Sequence, residues 1–216
     1  MKNYSHLFFD CDGVILNSNK VKTNAFYKIA IKHGKESAKK LVNYHINNGG
    51  ISRYKKIKFF QNNIIKNNDL KLYENLVNDY GEIVKKELLE TEISKGIFKI
   101  KDFFPNSKLA VISGSDEKEL LWLFKKLKID HIFDNGIFGS PKSKEEIFNQ
   151  IFKNSNDIIS SIYLGDSKYD FEVSKMYGMD FAFITEWTEV AEWVTFTKIN
   201  NIKSYLNISE FLNSFQ

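Results

Sequence analysis

Cysteine occurs once, at Cys11, so no disulfide can close within the chain and a reducing compartment suits it. The thiol lies between Asp10 and Asp12, whose charges disfavour a thiolate, so Cys11 reads as a small packing residue and not as a nucleophile. No apolar run is long enough to span a bilayer, and Met1 to His6 show neither a signal-peptide stretch nor a small-residue cleavage site, so a cytoplasmic protein without a membrane partner is expected. Charge of one sign is not concentrated anywhere beyond short pairs such as Lys39-Lys40 and Lys55-Lys56. The 31 basic against 27 acidic residues leave a formal +4, which describes a solvated surface and argues against a nucleic-acid partner. His6, His33, His45 and His131 share no metal-ligand spacing. There is no internal repeat and no low-complexity linker. What the 216 residues do have is 43% hydrophobic content with 19 phenylalanines, enough to bury the core of one large domain, or of a core domain with a smaller insert. Both a monomer and a homodimer are compatible with this composition.

The stretch Leu7-Phe8-Phe9-Asp10-Cys11-Asp12-Gly13-Val14-Ile15 organises the rest. An apolar run suited to a buried strand stops at two carboxylates one residue apart, and Gly13 lets the backbone turn. Carboxylates at the end of a buried strand are costly to desolvate, and a divalent cation is an economical compensation for two of them. Beyond them the period changes from strand to helix. Ala25, Phe26, Ile29 and Ala30 recur at helical spacing as far as Gly34. Leu41, Val42 and Ile46 predict a helix over 37–47 that ends at Asn47-Asn48-Gly49-Gly50. Ile57, Phe60, Ile64 and Ile65 predict another over 51–65, and Leu72, Leu76, Val77, Tyr80, Ile83 and Val84 a long one over 70–89. Four helices with short connections suit a small bundle, so an all-helical domain of residues 18–94 is expected inside a core made of 1–17 and 95–216.

Strand and helix then alternate. A strand over 108–113 ends in Ser113, and Ser115 or Asp116 can cap the helix that carries Leu120, Leu121, Leu123, Phe124 and Leu127. A short extended piece is predicted at 133–138, then a helix beginning near Lys144 with Ile147, Ile151 and Phe152. A strand over 158–164 breaks at Gly165-Asp166-Ser167, followed by a helix over 170–177, a strand over 180–184 and a short closing helix at 209–215. From Thr188 to that helix the pattern carries no clear element; Phe181, Phe183, Trp187 and Trp193 read as packing residues. The fold class expected is α/β, a doubly wound (Rossmann-like) parallel sheet with an all-helical domain inserted after the first strand.

In such a sheet the carboxyl ends of the strands share one edge, which brings Asp10, Asp12, Ser113, Asp166 and Asp170 together. Lys142 or Lys144, just before a helix, can reach the same edge. Four acids around one point repel one another unless a hard cation lies among them, and an all-oxygen set suits Mg²⁺. A lysine and a hydroxyl beside that metal suggest a further anion with several oxygens, most simply phosphate.

These residues resemble, in order, the motifs of the haloacid dehalogenase-like superfamily. Asp10-Cys11-Asp12-Gly13-Val14 is similar to the first, Val111-Ile112-Ser113-Gly114 to the second, the Lys142/Lys144 region to the third, and Gly165-Asp166-Ser167-Lys168-Tyr169-Asp170 to the fourth. The helical insert looks like the family's C1 cap. The resemblance implies that Asp10 attacks phosphorus, that Asp12 is acid and base, and that Mg²⁺ is held by the Asp10 carboxylate, the Asp12 main-chain carbonyl and Asp166, with Asp170 in its shell. Ser113, Gly114 and the lysine would hold phosphoryl oxygens; Lys144, at the helix start, is preferred over Lys142, although the family usually places this lysine before a proline and here Pro141 precedes both. Family dehalogenases lack an acid at the position of Asp12, so phosphoryl transfer is expected.

In the insert, Asn48-Gly49-Gly50-Ile51-Ser52-Arg53-Tyr54-Lys55-Lys56 puts a flexible turn before a helix whose first turns carry Arg53 and Lys56 on one face. It looks like the cap loop that selects substrate, and the two cations suit an anionic or hydroxyl-rich group; the plain alternative is a helix start with solvated charges. The activity implied is a Mg²⁺-dependent phosphatase acting on a small phosphorylated metabolite, with a sugar phosphate as one candidate. A β-phosphoglucomutase-like phosphomutase is the alternative within enzymes, and a binding or regulatory protein on the same fold the alternative outside them.

Overall fold

The computed structural model describes residues 4–153 and 160–216. The apolar run before Asp10 forms β1 (His6–Phe9), every residue of which is buried. Its partners are β2 (Lys108–Asp116) on one side and β4 (Ser161–Gly165) on the other, both parallel and in register from His6 to Phe9. With β3 (Ile137–Ser140), β5 (Asp180–Ile184) and β6 (Lys203–Tyr205) the sheet runs β3-β2-β1-β4-β5-β6, parallel throughout.

Alternate residues of the strands supply two apolar layers, as a period of two requires in a sheet covered on both faces. Leu7, Phe9, Leu109, Val111, Ile162 and Leu164 belong to the larger layer. Phe8, Ala110, Ile112 and Tyr163 belong to the other, closed by α7 (Lys144–Phe152) and α8 (Lys168–Met176) through Ile147, Phe148, Phe152 and Val173. Helix α6 (Glu117–Lys126) contributes Leu120, Leu123 and Phe124 to the larger layer, and α10 (Ile208–Asn213) contributes Ile208, Phe211 and Leu212.

Between β1 and β2 run four helices: α1 (Asn19–Ala30), α2 (Lys35–Asn47), α3 (Arg53–Phe59) and α4 (Leu70–Leu88), with α1 packed on α2 and α4, and α3 on α4. Helix α3 continues into a wider π-helical turn, Phe60–Ile64, so the helix predicted over 51–65 is two kinds of helix joined end to end. The chain leaves the sheet and returns to it side by side. Asn17 N donates to Glu92 O (2.9 Å), Ser94 N donates to Ile15 O (2.8 Å), and Leu16 bridges Ile93 antiparallel.

Several elements depart from the pattern read in the sequence. β2 runs on past Ser113 to Asp116, because its register against β3 shifts between Ile112 and Asp116 and lets Asp116 pair with Ser140. β3 lies at Ile137–Ser140 and not at 133–138: Asp134 accepts from Leu109 N (2.8 Å), and Gly136 turns at φ +106 before pairing begins. Positions 158 and 159 of the strand expected over 158–164 lie outside the described residues, and β4 starts at Ser161. Two elements carry no sequence pattern after Thr188, α9 (Trp193–Ile199) and edge strand β6, and the single turn α5 (Ile100–Phe103) precedes β2. Among the described residues no helix is long and apolar enough to cross a membrane.

Phe148 is fully buried, with its ring centroid 5.0 Å from Phe8 and 5.6 Å from Tyr163. Phe148→Ala is expected to cost about 3–5 kcal/mol. A urea titration checks this; an unchanged midpoint would mean that this layer tolerates the cavity.

Candidate active site

The carboxyl edge of the sheet gathers the acids. Asp10 follows β1 directly, and its N–H donates to Leu164 O (2.9 Å), which ties it to β4. Gly13 then turns with φ +76, and a Cβ there would overlap the Asp166 carboxylate and the Asn19 amide. Asp166 follows β4; Asn19 Nδ2, at the start of α1, donates to its Oδ2 (2.7 Å). Ser167 caps α8 in a reciprocal capping box with Asp170, so the Asp170 carboxylate turns back to accept from Ser167 N (3.1 Å) and Ser167 Oγ (2.7 Å). Its other oxygen faces the Tyr163 hydroxyl (3.0 Å) and Lys144.

Lys144 opens α7 behind the Ser143 capping box and is only 1% exposed. Its ammonium donates to Asp170 and to the Tyr163 hydroxyl (2.8 Å), and stands 3.2 Å from Asp10 Oδ1. Lys142 lies on the surface, where it donates to Gln150 (3.1 Å). The Asp12 carboxylate faces elsewhere: it accepts from Ser18 Oγ (2.5 Å), Lys22 Nζ (2.6 Å) and Ser115 Oγ (2.7 Å). Ser113 is buried, and its hydroxyl oxygen accepts from Ser115 N (3.2 Å). Gly114 lies so close to the helical segment that a Cβ would overlap the Gly50 carbonyl oxygen. Of the two cations read from that segment, Arg53 binds Glu119 and lies over the Tyr80 ring (4.9 Å), while Lys56 meets His45 Nδ1 at 2.8 Å.

A cavity of about 60 Å³ joins these parts, with Asp10, Asp12, Gly114 and Asp166 on the core side and Arg53 and Lys56 on the helical side. Lys22, Ser115, His45 and Glu189 also line it and were not singled out from the sequence as site residues. A signal for two of them exists. Lys22 falls at helical spacing with Ala25, Phe26 and Ile29, and His45 with Ala38 and Leu41, so each is a polar side chain on a buried stripe.

Electrostatically the two aspartates of the first motif are opposites. Burial, offset by Lys144 and reinforced by Asp170 and Asp12, pushes Asp10 up to about 7. Asp166 is raised as well, by burial and then by Asp10 and Asp170. Burial also works against the Asp12 carboxylate, but Lys22, Ser18 and Ser115 outweigh it and hold it down to about 2. Asp10, Asp166 and Asp170 each offer an oxygen within 4.8 Å of the others, and the buried Asp10 Oδ1 is approached by Lys144 alone, at 3.2 Å. A hard divalent cation fits that donor set; the Asp12 carboxylate, engaged by Lys22, is not part of it.

The raised Asp10 has a consequence for pH. Between its ordinary 3.8 and about 7 the folded, metal-free protein binds more protons at this group than the unfolded chain does. This contribution to stability is therefore present at low pH and lost as the pH rises through that window. A cation among the carboxylates favours their ionised forms, so the rise in Tm on adding Mg²⁺ to chelator-treated protein is expected to be larger at about pH 8 than at about pH 6. Scanning fluorimetry checks this, and equal shifts at both pH values would count against cation binding by these acids.

The model of the haloacid dehalogenase-like hydrolase family matches residues 7–184. No curated protein matches the sequence significantly. Solved structures share the fold at low identity. A haloacid dehalogenase-like family hydrolase from Streptococcus pneumoniae is 19% identical, with 100% of both chains covered and a TM-score of 0.67. A protein from Clostridium acetobutylicum described as a predicted phosphatase is 15% identical over 98% of each chain, with a TM-score of 0.74. CbbY from Rhodobacter sphaeroides, solved in complex with phosphate, is 14% identical over 96% of each chain, with a TM-score of 0.69. Because the family model spans most of the sequence, the chain belongs to the haloacid dehalogenase-like hydrolases.

Proposed function

We propose that the protein is a Mg²⁺-dependent phosphatase of small phosphorylated metabolites that works through an aspartyl-phosphate on Asp10. The observation that carries this reading is the cavity in which Asp10, Asp12 and Asp166 meet, with Lys144 3.2 Å from Asp10 and an acidic donor set beside it that suits a hard cation. CbbY, similar in fold, binds phosphate, which is in keeping with a phosphoryl site.

Asp10, ionised beside Lys144, attacks phosphorus as the P–O ester bond breaks, and the departing oxygen takes a proton that Asp12 gains from solvent while the open cap holds Lys22 away from it; in the second half the Asp12 carboxylate takes a proton from the water that attacks the aspartyl-phosphate. Paired with Lys22 at 2.6 Å, Asp12 is held in the basic form that the second half needs. Lys144, Ser113 and the N–H of Gly114 hold the phosphoryl oxygens in place and oppose the charge that develops on them. Mg²⁺, held by Asp10, Asp166 and the Asp12 carbonyl with Asp170 beside them, would neutralise the repulsion between carboxylate and phosphate.

Residues 18–94 serve as the cap over the core formed by 1–17 and 95–216. The cavity is narrow, about 60 Å³, and substrate enters it when the cap opens at the paired crossings beside Asn17 and Ser94. Closure then shields the first step from water.

A phosphate-release screen over phosphorylated metabolites with Mg²⁺ is expected to find turnover that Asp10→Asn abolishes and Asp12→Asn lowers by about 10²–10⁴-fold. Release surviving in Asp10→Asn would overturn the nucleophile. Conversion of a sugar phosphate to its isomer without free phosphate would make the protein a mutase, and silence across the panel would leave a binding protein.

A further inference from the structure

Three cations of the helical segment line the cavity, and two are committed. Lys22 is paired with Asp12 and Arg53 with Glu119. Lys56 is 3% exposed, yet among the described residues no carboxylate lies within ion-pairing distance of it. Its ammonium meets His45 Nδ1 at 2.8 Å and stands 5.7 Å from the centre of the Phe26 ring. Burial and the neighbouring Lys22 push Lys56 down to about 7, as expected of an ammonium that the protein leaves uncompensated.

His45 adds a second unmet demand. Burial, Lys56 and Lys22 hold its pKa well below the ordinary range, so the ring is neutral. With Nδ1 accepting from Lys56, the proton resides on Nε2. That Nε2–H is buried and has no hydrogen-bond acceptor; Glu189 Oε2 stands 3.8 Å away, too far to serve, and is itself occupied by Thr23 Oγ1 at 2.9 Å. An ammonium without an ion-paired carboxylate and an N–H without an acceptor therefore sit side by side in the wall of the cavity that also holds Asp10. An oxyanion would answer both, since each donor would gain a charge-assisted hydrogen bond.

We propose that Lys56 and His45 bind a second anionic group of the substrate, a carboxylate or another phosphoryl group, remote from the bond broken at Asp10. The substrate class is then a phosphate monoester with a second oxyanion. Glu189, 3.8 Å from His45 Nε2, repels an anion from its side and so favours a position against Lys56. This assignment rests on the phosphatase reading of the site, but it fails separately from it.

The test uses sets of phosphate monoesters of equal chain length ending in carboxylate, phosphate or hydroxyl. With the wild-type protein, kcat/KM for a charged-end ester is expected to exceed that for the hydroxyl-end ester by about ten- to a hundredfold, and the two charged series identify which oxyanion is preferred. Lys56→Met is expected to bring the ratio close to one, chiefly through KM, and Lys56→Arg to restore part of it; His45→Gln, which keeps an N–H donor, is expected to lie between. A ratio near one in the wild type, or an unaltered ratio in Lys56→Met, would overturn the anion site while phosphate release still supports the chemistry at Asp10. Should no ester release phosphate, that chemistry falls. Calorimetric binding of the same esters to Asp10→Asn protein then decides the anion site, with equal affinity for charged and neutral ends overturning it.

Discussion

Three carboxylates and one ammonium share a buried space at the carboxyl edge of the sheet, and much of the surrounding architecture keeps their charges compensated. Burial pushes Asp10 and Asp166 toward their protonated forms, and the neighbouring acids, which Lys144 alone cannot balance, add to it. The same imbalance makes the space receptive to a divalent cation. Local structure serves it at each strand end: the Ser167 box turns Asp170 inward, the Ser143 box starts α7 so that Lys144 points the same way, and Gly13 leaves room for Asp166. The Tyr163 hydroxyl, between the Ile112 carbonyl at 2.8 Å and Asp170 at 3.0 Å, packs the gap beneath with a polar atom.

Against that cluster, Asp12 is a separate electrostatic region only two positions along the chain. Its carboxylate is compensated from the helical segment, by Lys22 and Ser18, and from the core by Ser115. The basicity of Asp12 therefore depends on where α1 lies relative to β2. Two carboxyl groups on one loop thus reach different protonation states because different elements face them.

The fold was legible wherever burial on both faces leaves long apolar runs, as in β1, β2, β4 and β5, and wherever a helix presents one stripe, as in α1 and α4. β6 escaped because an edge strand of Lys203–Tyr205 is half in solvent and carries no pattern. β3 was displaced because an Asp134 side-chain contact and the turn at Gly136 postpone its pairing. In the site, acids that end apolar runs stood out, because charge in such a place needs a reason. Ser115 and Glu189 did not, since their meeting with Lys22 depends on how the helices lie over the sheet, a relation that spacing along one chain does not encode. Arg53 and Lys56, equivalent as a pair on one helical face, differ in the folded protein because only Arg53 has an acid, Glu119, to meet.

The two chain crossings beside the first motif run antiparallel and are joined through Asn17 to Glu92, Ser94 to Ile15, and Leu16 to Ile93. A pair of strands so joined bends as one ribbon, and neither can lengthen or slide without breaking the other's hydrogen bonds. The helices are thus joined to the sheet through one hydrogen-bonded ribbon and rest on the core through Arg53 and Glu119 as well. Because the ribbon begins at the loop that carries Asp12, a displacement of α1 would change the distance from Lys22 to that carboxylate. The position of the helices and the basicity of Asp12 are in this way linked through the chain itself.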